Sequence, residues 1–223
     1  MPRGRSVLAK LNRPHLHSPV RRTRLFKLLD QRKRHPIVWV SRPPGSGKTT
    51  LVASYLETRK LNTYWYQVDE GDRDPATFFY YLGELAKSAK STRTKDLPYL
   101  SPEHLLDVPE FARRFFRDFF LLLGSNSVVV LDNCHDVTDA DFALILRIAA
   151  EQVPQGARLI CISRLAPSAE LARLQVNEQM LHLDWEELRL TLPEARQIVA
   201  AKGTSAIATQ RNYSSVLMDG LRG

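Results

Sequence analysis

The chain has 223 residues, 43% of them hydrophobic and 25% charged, an ordinary globular composition with room for a sizeable core. No stretch reaches the roughly 20 apolar residues of a membrane helix and there is no secretory apolar core; the two cysteines, Cys134 and Cys161, lack metal-ligand spacing and fit a reduced, cytosolic chain. The net charge of +8 is uneven, because residues 1–36 carry eleven Lys and Arg against Asp30 alone, which leaves the remainder near −2.

Residues 1–36 therefore read as a basic arm or linker outside the folded body. Such an arm suits phosphate, nucleic acid or an acidic partner, or is a solvated leader; Pro2, Pro14 and Pro19 weigh against an amphipathic transit helix. From residue 37 short apolar runs alternate with helical patterns, which predicts a parallel sheet covered by helices. Ile37 to Ser41 reads as a buried strand and Lys48 to Thr58 as the helix after it. Thr63 to Val68 is a second strand, rich in β-formers. Asp74 and Pro75 open a helix as cap and first residue, with Phe78, Phe79, Leu82, Leu85 and Ala86 on its apolar face.

Residues 88–108 read as a loop. Pro109 to Leu123 is a helix whose face of Phe111, Phe115, Phe116, Phe119 and Phe120 belongs to the core, with Arg113, Arg114 and Arg117 on its solvated side. Ser127 to Leu131 is a buried strand, Asp139 to Val153 an amphipathic helix, and Ala157 to Ser163 and Leu181 to Leu183 are further strands. Thr191-Leu192-Pro193-Glu194 is a capping box, and Gly203 sits where a C-terminal cap belongs. The predicted division is a basic arm at 1–36, a nucleotide domain at 37–183, and at 184–223 the cut-short start of a further unit.

The chemistry concentrates in Ser41-Arg42-Pro43-Pro44-Gly45-Ser46-Gly47-Lys48-Thr49-Thr50. A strand, a Gly-rich turn and a helix opening on Lys-Thr form a polyphosphate site, since backbone N–H groups and the helix N-terminus converge on the phosphates. Pro44 shapes the turn but has no N–H, so the donors are the amides of Gly45, Ser46, Gly47, Lys48, Thr49 and Thr50. Lys48 would reach the β- and γ-phosphates, and the Thr49 hydroxyl would bind Mg²⁺. The full pattern has glycine where this chain has Arg42.

A second oxygen ligand for Mg²⁺ is expected from an apolar strand ending in Asp, and Val128-Val129-Val130-Leu131-Asp132 supplies it. Asn133 follows, where an acid would serve as general base. Asn cannot accept a proton, so slow or absent hydrolysis is expected unless Asp136 substitutes. Arg164 ends the next strand, at a rim position suited to sensing the γ-phosphate. Asp69, Glu70, Asp72 and Asp74 are candidates to assist the site. Arg21, Arg22 and Arg24 are candidates to border it. The six histidines make no metal cluster, and His135 is read as a packing or hydrogen-bonding residue.

The series of Pro-Pro-Gly-Ser-Gly-Lys-Thr-Thr-Leu-Val, the Asp-rich segment Trp65 to Pro75 before the Phe-Phe helix, Val130-Leu131-Asp132-Asn133-Cys134-His135 and Ile162-Ser163-Arg164 resembles the ATPase module of MalT-like (LuxR-type) transcriptional regulators of the STAND class. The resemblance covers residues 11–202. It implies a P-loop NTPase three-layer sandwich, AAA+/STAND-like, followed by an incomplete winged-helix-like segment. It also implies an ADP/ATP switch with Mg²⁺, in which Gly45 to Thr50 bind phosphates, Asp132 serves the metal and Arg164 is the sensor. An inducer and ATP-dependent self-association are implied as partners, as is DNA binding through a domain beyond this segment. Two other readings remain open: a conventional ATP-hydrolysing enzyme, or a non-catalytic interaction or DNA-binding fragment that uses the basic arm.

Overall fold

A computed structural model describes residues 9–16, 19–31, 35–89 and 96–200. Five parallel strands lie in the order β2-β3-β4-β1-β5: β1 Ile37–Ser41, β2 Asn62–Gln67, β3 Ser127–Asp132, β4 Arg158–Ser163 and β5 Met180–Leu183. β1 is central. Ile37 faces Leu159 on one side and Met180 on the other, and Ser41 faces Ser163. All five β1 residues are buried, as a parallel strand covered on both faces requires. The strands start and end as expected to within a residue.

Alternation along β1 divides the core. Val38 and Val40 join one cluster with helix α1 (Thr23–Gln31) and helix α2 (Lys48–Thr58). Ile37 and Trp39 join the other, with α3 (Pro75–Ala86), α4 (Val108–Leu123), α5 (Ala140–Glu151) and α6 (Ala169–Val176). Sheet and two helical layers make a three-layer α/β sandwich. The second cluster is aromatic. The α4 phenylalanines are buried there, with Phe79 edge-on to Phe115 at 4.9 Å between ring centres.

Three expectations are corrected. The segment 1–36 is not wholly an arm outside the body. Its residues 23–31 form α1, with Leu25, Phe26 and Leu29 buried on the sheet and Phe26 edge-on to Tyr55. Burying these three side chains outweighs the segment's charge, because each contributes about 1.5–3 kcal/mol while its basic neighbours stay solvated or find partners. The loop 88–108 carries a 3-10 turn at Pro102–Asp107, and α4 begins at Val108 with Asp107 as cap, its carboxylate accepting from the Glu110 amide at 3.0 Å. Helix α6, absent from the sequence reading, makes the crossover from β4 to β5, two parallel strands of one sheet that lie on either side of β1.

Beyond β5 come the one-turn helix α7 (Trp185–Leu188) and a helix over residues 192–200. The predicted capping box forms: Glu194 Oε2 accepts from the Thr191 amide at 3.0 Å, and Thr191 Oγ1 accepts from the Glu194 amide at 3.4 Å. Gly203 and the end of the winged-helix-like segment lie outside the described residues, so that part of the expectation has no counterpart here.

Candidate nucleotide site

At the C-terminal end of β1 the chain turns sharply into α2. Gly45 and Gly47 both adopt left-handed backbone, at φ 73° and 78°. A Cβ at either would meet no atom within 4 Å, so the need for glycine is conformational and not a matter of space. Gly47 stands at the cap position of α2, and no side chain caps that end. The first-turn amides thus point out of the helix as donors, with the positive end of its dipole behind them. Ser46 Oγ is buried in the same turn without a hydrogen-bond partner. A buried, unsatisfied hydroxyl beside uncapped amides is a donor set that fits an anion's oxygens.

Lys48 and Thr49 stand where the sequence spacing put them. Lys48 Nζ donates to the carbonyl oxygens of Arg42 at 2.6 Å and Pro43 at 3.2 Å. Burial lowers its pKa and the positive field of Arg164 lowers it further, while Asp132 opposes both. Thr49 Oγ1 donates to Asp132 Oδ1 at 3.3 Å, across 83 residues of sequence. The same carboxylate oxygen accepts from the Asn133 amide at 3.0 Å. Asp132 is only 6% exposed, and burial pushes its pKa up despite these donors and Lys48. A buried carboxylate and a hydroxyl in contact, with the charged form destabilised by desolvation, suit a small hard cation such as Mg²⁺.

Asn133 takes left-handed backbone at φ 66°, a conformation that Asn tolerates better than most residues. Its carbonyl accepts from the Asp136 amide at 2.9 Å, which closes a turn and brings Asp136 near enough to raise the Asp132 pKa. Asp136 is also 3.4 Å from His135 Nε2. Arg164 is exposed at the end of β4, and its charge acts on Lys48 and His135. The Arg42 amide donates to the Ser163 carbonyl at 3.4 Å, so the loop and the β4 terminus are tied together. Lys48, Thr49, Asp132 and Arg164 therefore share one rim of the sheet.

The Asp-rich segment lies elsewhere and is structural. Asp72 is 1% exposed and accepts from Lys10 Nζ at 2.8 Å, the Tyr66 hydroxyl at 2.6 Å and the Asp69 amide at 2.9 Å. Asp69 completes a capping box on the turn Glu70–Arg73, and Asp74 caps α3. A charged acid can be buried only with this density of donors. Among the described residues no three His, Cys, Asp or Glu converge as a metal group. His182 Nε2 and Ser41 Oγ pair at 2.7 Å between β5 and β1.

Arg22, Arg24 and Arg42 converge on the segment after β5. Arg22 Nη2 donates to the carbonyls of Leu188 and Arg189, both at 2.9 Å, and to Glu194 Oε2 at 3.1 Å. Arg24 donates to the carbonyls of Glu187 and Arg189 at 2.9 and 3.0 Å. The Arg42 guanidinium donates to the Leu188 carbonyl. These are the last carbonyls of α7, which have no partner within the helix. Burial lowers the Arg42 pKa, and Arg22 and Arg189 lower it further. The residue that stands in the place of a glycine thus fastens the start of the loop to the segment 188–194. Sequence reasoning missed this anchor; the capping box at 191–194, read together with Arg22 and Arg24, was the available signal.

The fold and the loop define a P-loop-type α/β nucleotide domain. Its sequence resembles that of the MalT regulators. It is 30% identical to the HTH-type transcriptional regulator MalT of Serratia proteamaculans and 28% identical to that of Yersinia pestis, each across 97% of this chain. The chain spans about a quarter (24%) of the length of those relatives. No protein-family model matches it. A Walker-type ATPase of Pyrococcus abyssi overlaps it at 14% identity with a TM-score of 0.47, over 84% of this chain and 66% of the other. Among the described residues no helix is long and apolar enough to cross a membrane.

Proposed function

We propose that this chain is an ATP-binding nucleotide-switch module of a MalT-like regulator. The observation that carries the reading is the contact of Thr49 with Asp132 at 3.3 Å, beside uncapped amides that follow two left-handed glycines. In this reading the amides of Gly45 to Thr50 and Lys48 hold the β- and γ-phosphates, and Pro44 rigidifies the entry to the turn. Thr49 and Asp132 hold Mg²⁺, and Arg164 meets the γ-phosphate end. Bound Mg²⁺ would supply charge neutralisation between phosphates.

Hydrolysis is slow or absent. Asn133 carries no base, and its left-handed backbone fits a turn residue more than an acid poised against water. Asp136 is the nearest alternative base. The anchor of Arg22, Arg24 and Arg42 supports a switch, since it links the loop mechanically to residues 188–194. We place the module in the cytoplasm. Inducer sensing, self-association in the ATP form and promoter binding belong, in this proposal, to the longer STAND-class, LuxR-type architecture that the relatives represent.

Equilibrium titration of the purified chain with Mg-ATP and Mg-ADP tests the reading. Both nucleotides should bind, and steady-state turnover should stay below about 1 s⁻¹, the low end of ordinary enzyme rates. Faster turnover with a pH profile reporting a carboxylate would favour a conventional ATPase using Asp136. No nucleotide binding would remove the proposal.

A further inference from the structure

On the opposite face of the sheet from α2, a partly enclosed cavity of about 210 Å³ opens between α5, α6 and the ends of β1, β3 and β4. Its walls are mostly apolar, with Trp39, Phe142, Leu146, Leu165 and Leu171 among them. For scale, an apolar cavity of about 150 Å³ takes a benzene-sized molecule. The loop from Ser163 to Ala166 forms one wall and is held in place, because Trp39 Nε1 donates to the Leu165 carbonyl at 3.0 Å and the Leu165 amide to Ser163 Oγ at 3.0 Å.

Three polar side-chain atoms on the wall lack hydrogen-bond partners: Ser168 Oγ, a hydroxyl that can turn to donate or accept, and one atom each of His135 and Asp139. His135 has a side chain only 10% exposed, and its Nδ1 is buried and unpaired. Its Nε2 faces Asp136 at 3.4 Å, so the favoured tautomer carries the proton there and leaves Nδ1 an acceptor. Asp139 uses Oδ1 to cap the Phe142 amide at 2.8 Å, while its buried Oδ2 has no hydrogen bond and only a distant Arg73 Nε at 3.9 Å. The unpaired atoms of His135 and Asp139 are both acceptors, and the Ser168 hydroxyl can accept as well. A buried acceptor without a donor is destabilising, and a ligand that supplies the donor recovers that cost.

We infer that this cavity binds a small single-ring aromatic molecule bearing one hydrogen-bond donor, such as a phenol, with the ring among Trp39, Phe142 and Leu146 and the donor on His135 Nδ1. The site is separate from the glycine loop and does not depend on nucleotide binding. It lies beside Arg164, whose neighbours Ser163 and Leu165 both line it.

Fluorine NMR of the full chain with 4-fluorophenol and 4-fluoroanisole tests this, since methylation removes the donor and keeps the ring. The expected result is saturable binding of 4-fluorophenol, about five-fold tighter than 4-fluoroanisole, the worth of one hydrogen bond. His135→Leu should erase that preference. Ala166→Trp, at an exposed position on the cavity wall, should weaken both probes at least as much without lowering the melting temperature. Lys48→Ala should leave the probes unaffected, which separates this site from the nucleotide site. Equal binding of the two probes, or binding that survives Ala166→Trp, overturns the inference.

Discussion

The two ends of one short loop behave differently. At its start Arg42 is buried and committed to the Leu188 carbonyl, inside a cluster where Arg22 and Glu194 are 7% and 8% exposed. At its end Lys48 and Thr49 are half-exposed, the helix cap is empty of side chains, and Ser46 Oγ is unpaired. The first end spends its polar groups on the fold; the second keeps donors that the fold does not need. Stability and ligand chemistry are therefore separable by mutation along a stretch of seven residues, 42–48.

Arg22→Ala should give the largest change. It strips the buried Glu194 and two α7 carbonyls of a shared donor, and removal of one partner from a buried pair costs about 3–5 kcal/mol. Chemical denaturation should show this loss, and the double variant with Glu194→Ala should recover part of it. An Arg22→Ala protein of unchanged stability would break the comparison at its structural end. Lys48→Ala should do the reverse. Loss of a charge-assisted contact to phosphate should weaken Mg-ATP about 100-fold by calorimetry, with little change in melting temperature.

Most of the sandwich was legible from the sequence, because short continuous apolar runs and helix caps are local signals. Asp74 announced α3 by its position before Pro75 and caps it as expected, and an amphipathic run announced α5, which Asp139 caps. Helix α1 was obscured by charge, although Leu25, Phe26 and Leu29 share one helical face. Helix α6 is eight residues long with two buried leucines, too weak a pattern without the topological demand for a crossover. In the candidate site, Lys48 and Thr49 were read from the Gly-Lys-Thr pattern after a strand, and Asp132 from an apolar strand that ends in an acid. The function of Asp72 was not, because only the fold brings Lys10 and Tyr66 to it. Arg42 looked like a defect in a motif, since its partner lies 146 residues away.

Arg42→Gly sharpens the contrast at the loop itself. It restores the glycine of the full pattern and leaves the Leu188 carbonyl to Arg22 alone, at a cost of about 1–3 kcal/mol for the lost charged donor. Hydrogen exchange should quicken across residues 184–200 while the amides of β3 and β4 stay protected. Uniform exchange across both would show that Arg42 does not hold that segment.

The smallest effect concerns Asp132. Its folded-state pKa lies above the ordinary 3.8 because burial disfavours the charge. The ionised carboxylate therefore costs stability at neutral pH, and the cost vanishes as pH falls below 3.8, where folded and unfolded chains are both protonated. Asp132→Asn should raise the melting temperature slightly at pH 7 and leave it unchanged at pH 3, while weakening Mg-ATP. A lower melting temperature at pH 7 would mean that the Thr49 and Asn133 donors outweigh desolvation.

The most direct test follows the backbone amides of Gly45, Ser46, Gly47, Lys48, Thr49 and Thr50 by NMR as Mg-ATP is added. These resonances should shift together and saturate, and AMP, which lacks β- and γ-phosphates, should move them little. ATP that bound while these six amides stayed still, or AMP that moved them equally, would contradict a polyphosphate seated on this turn.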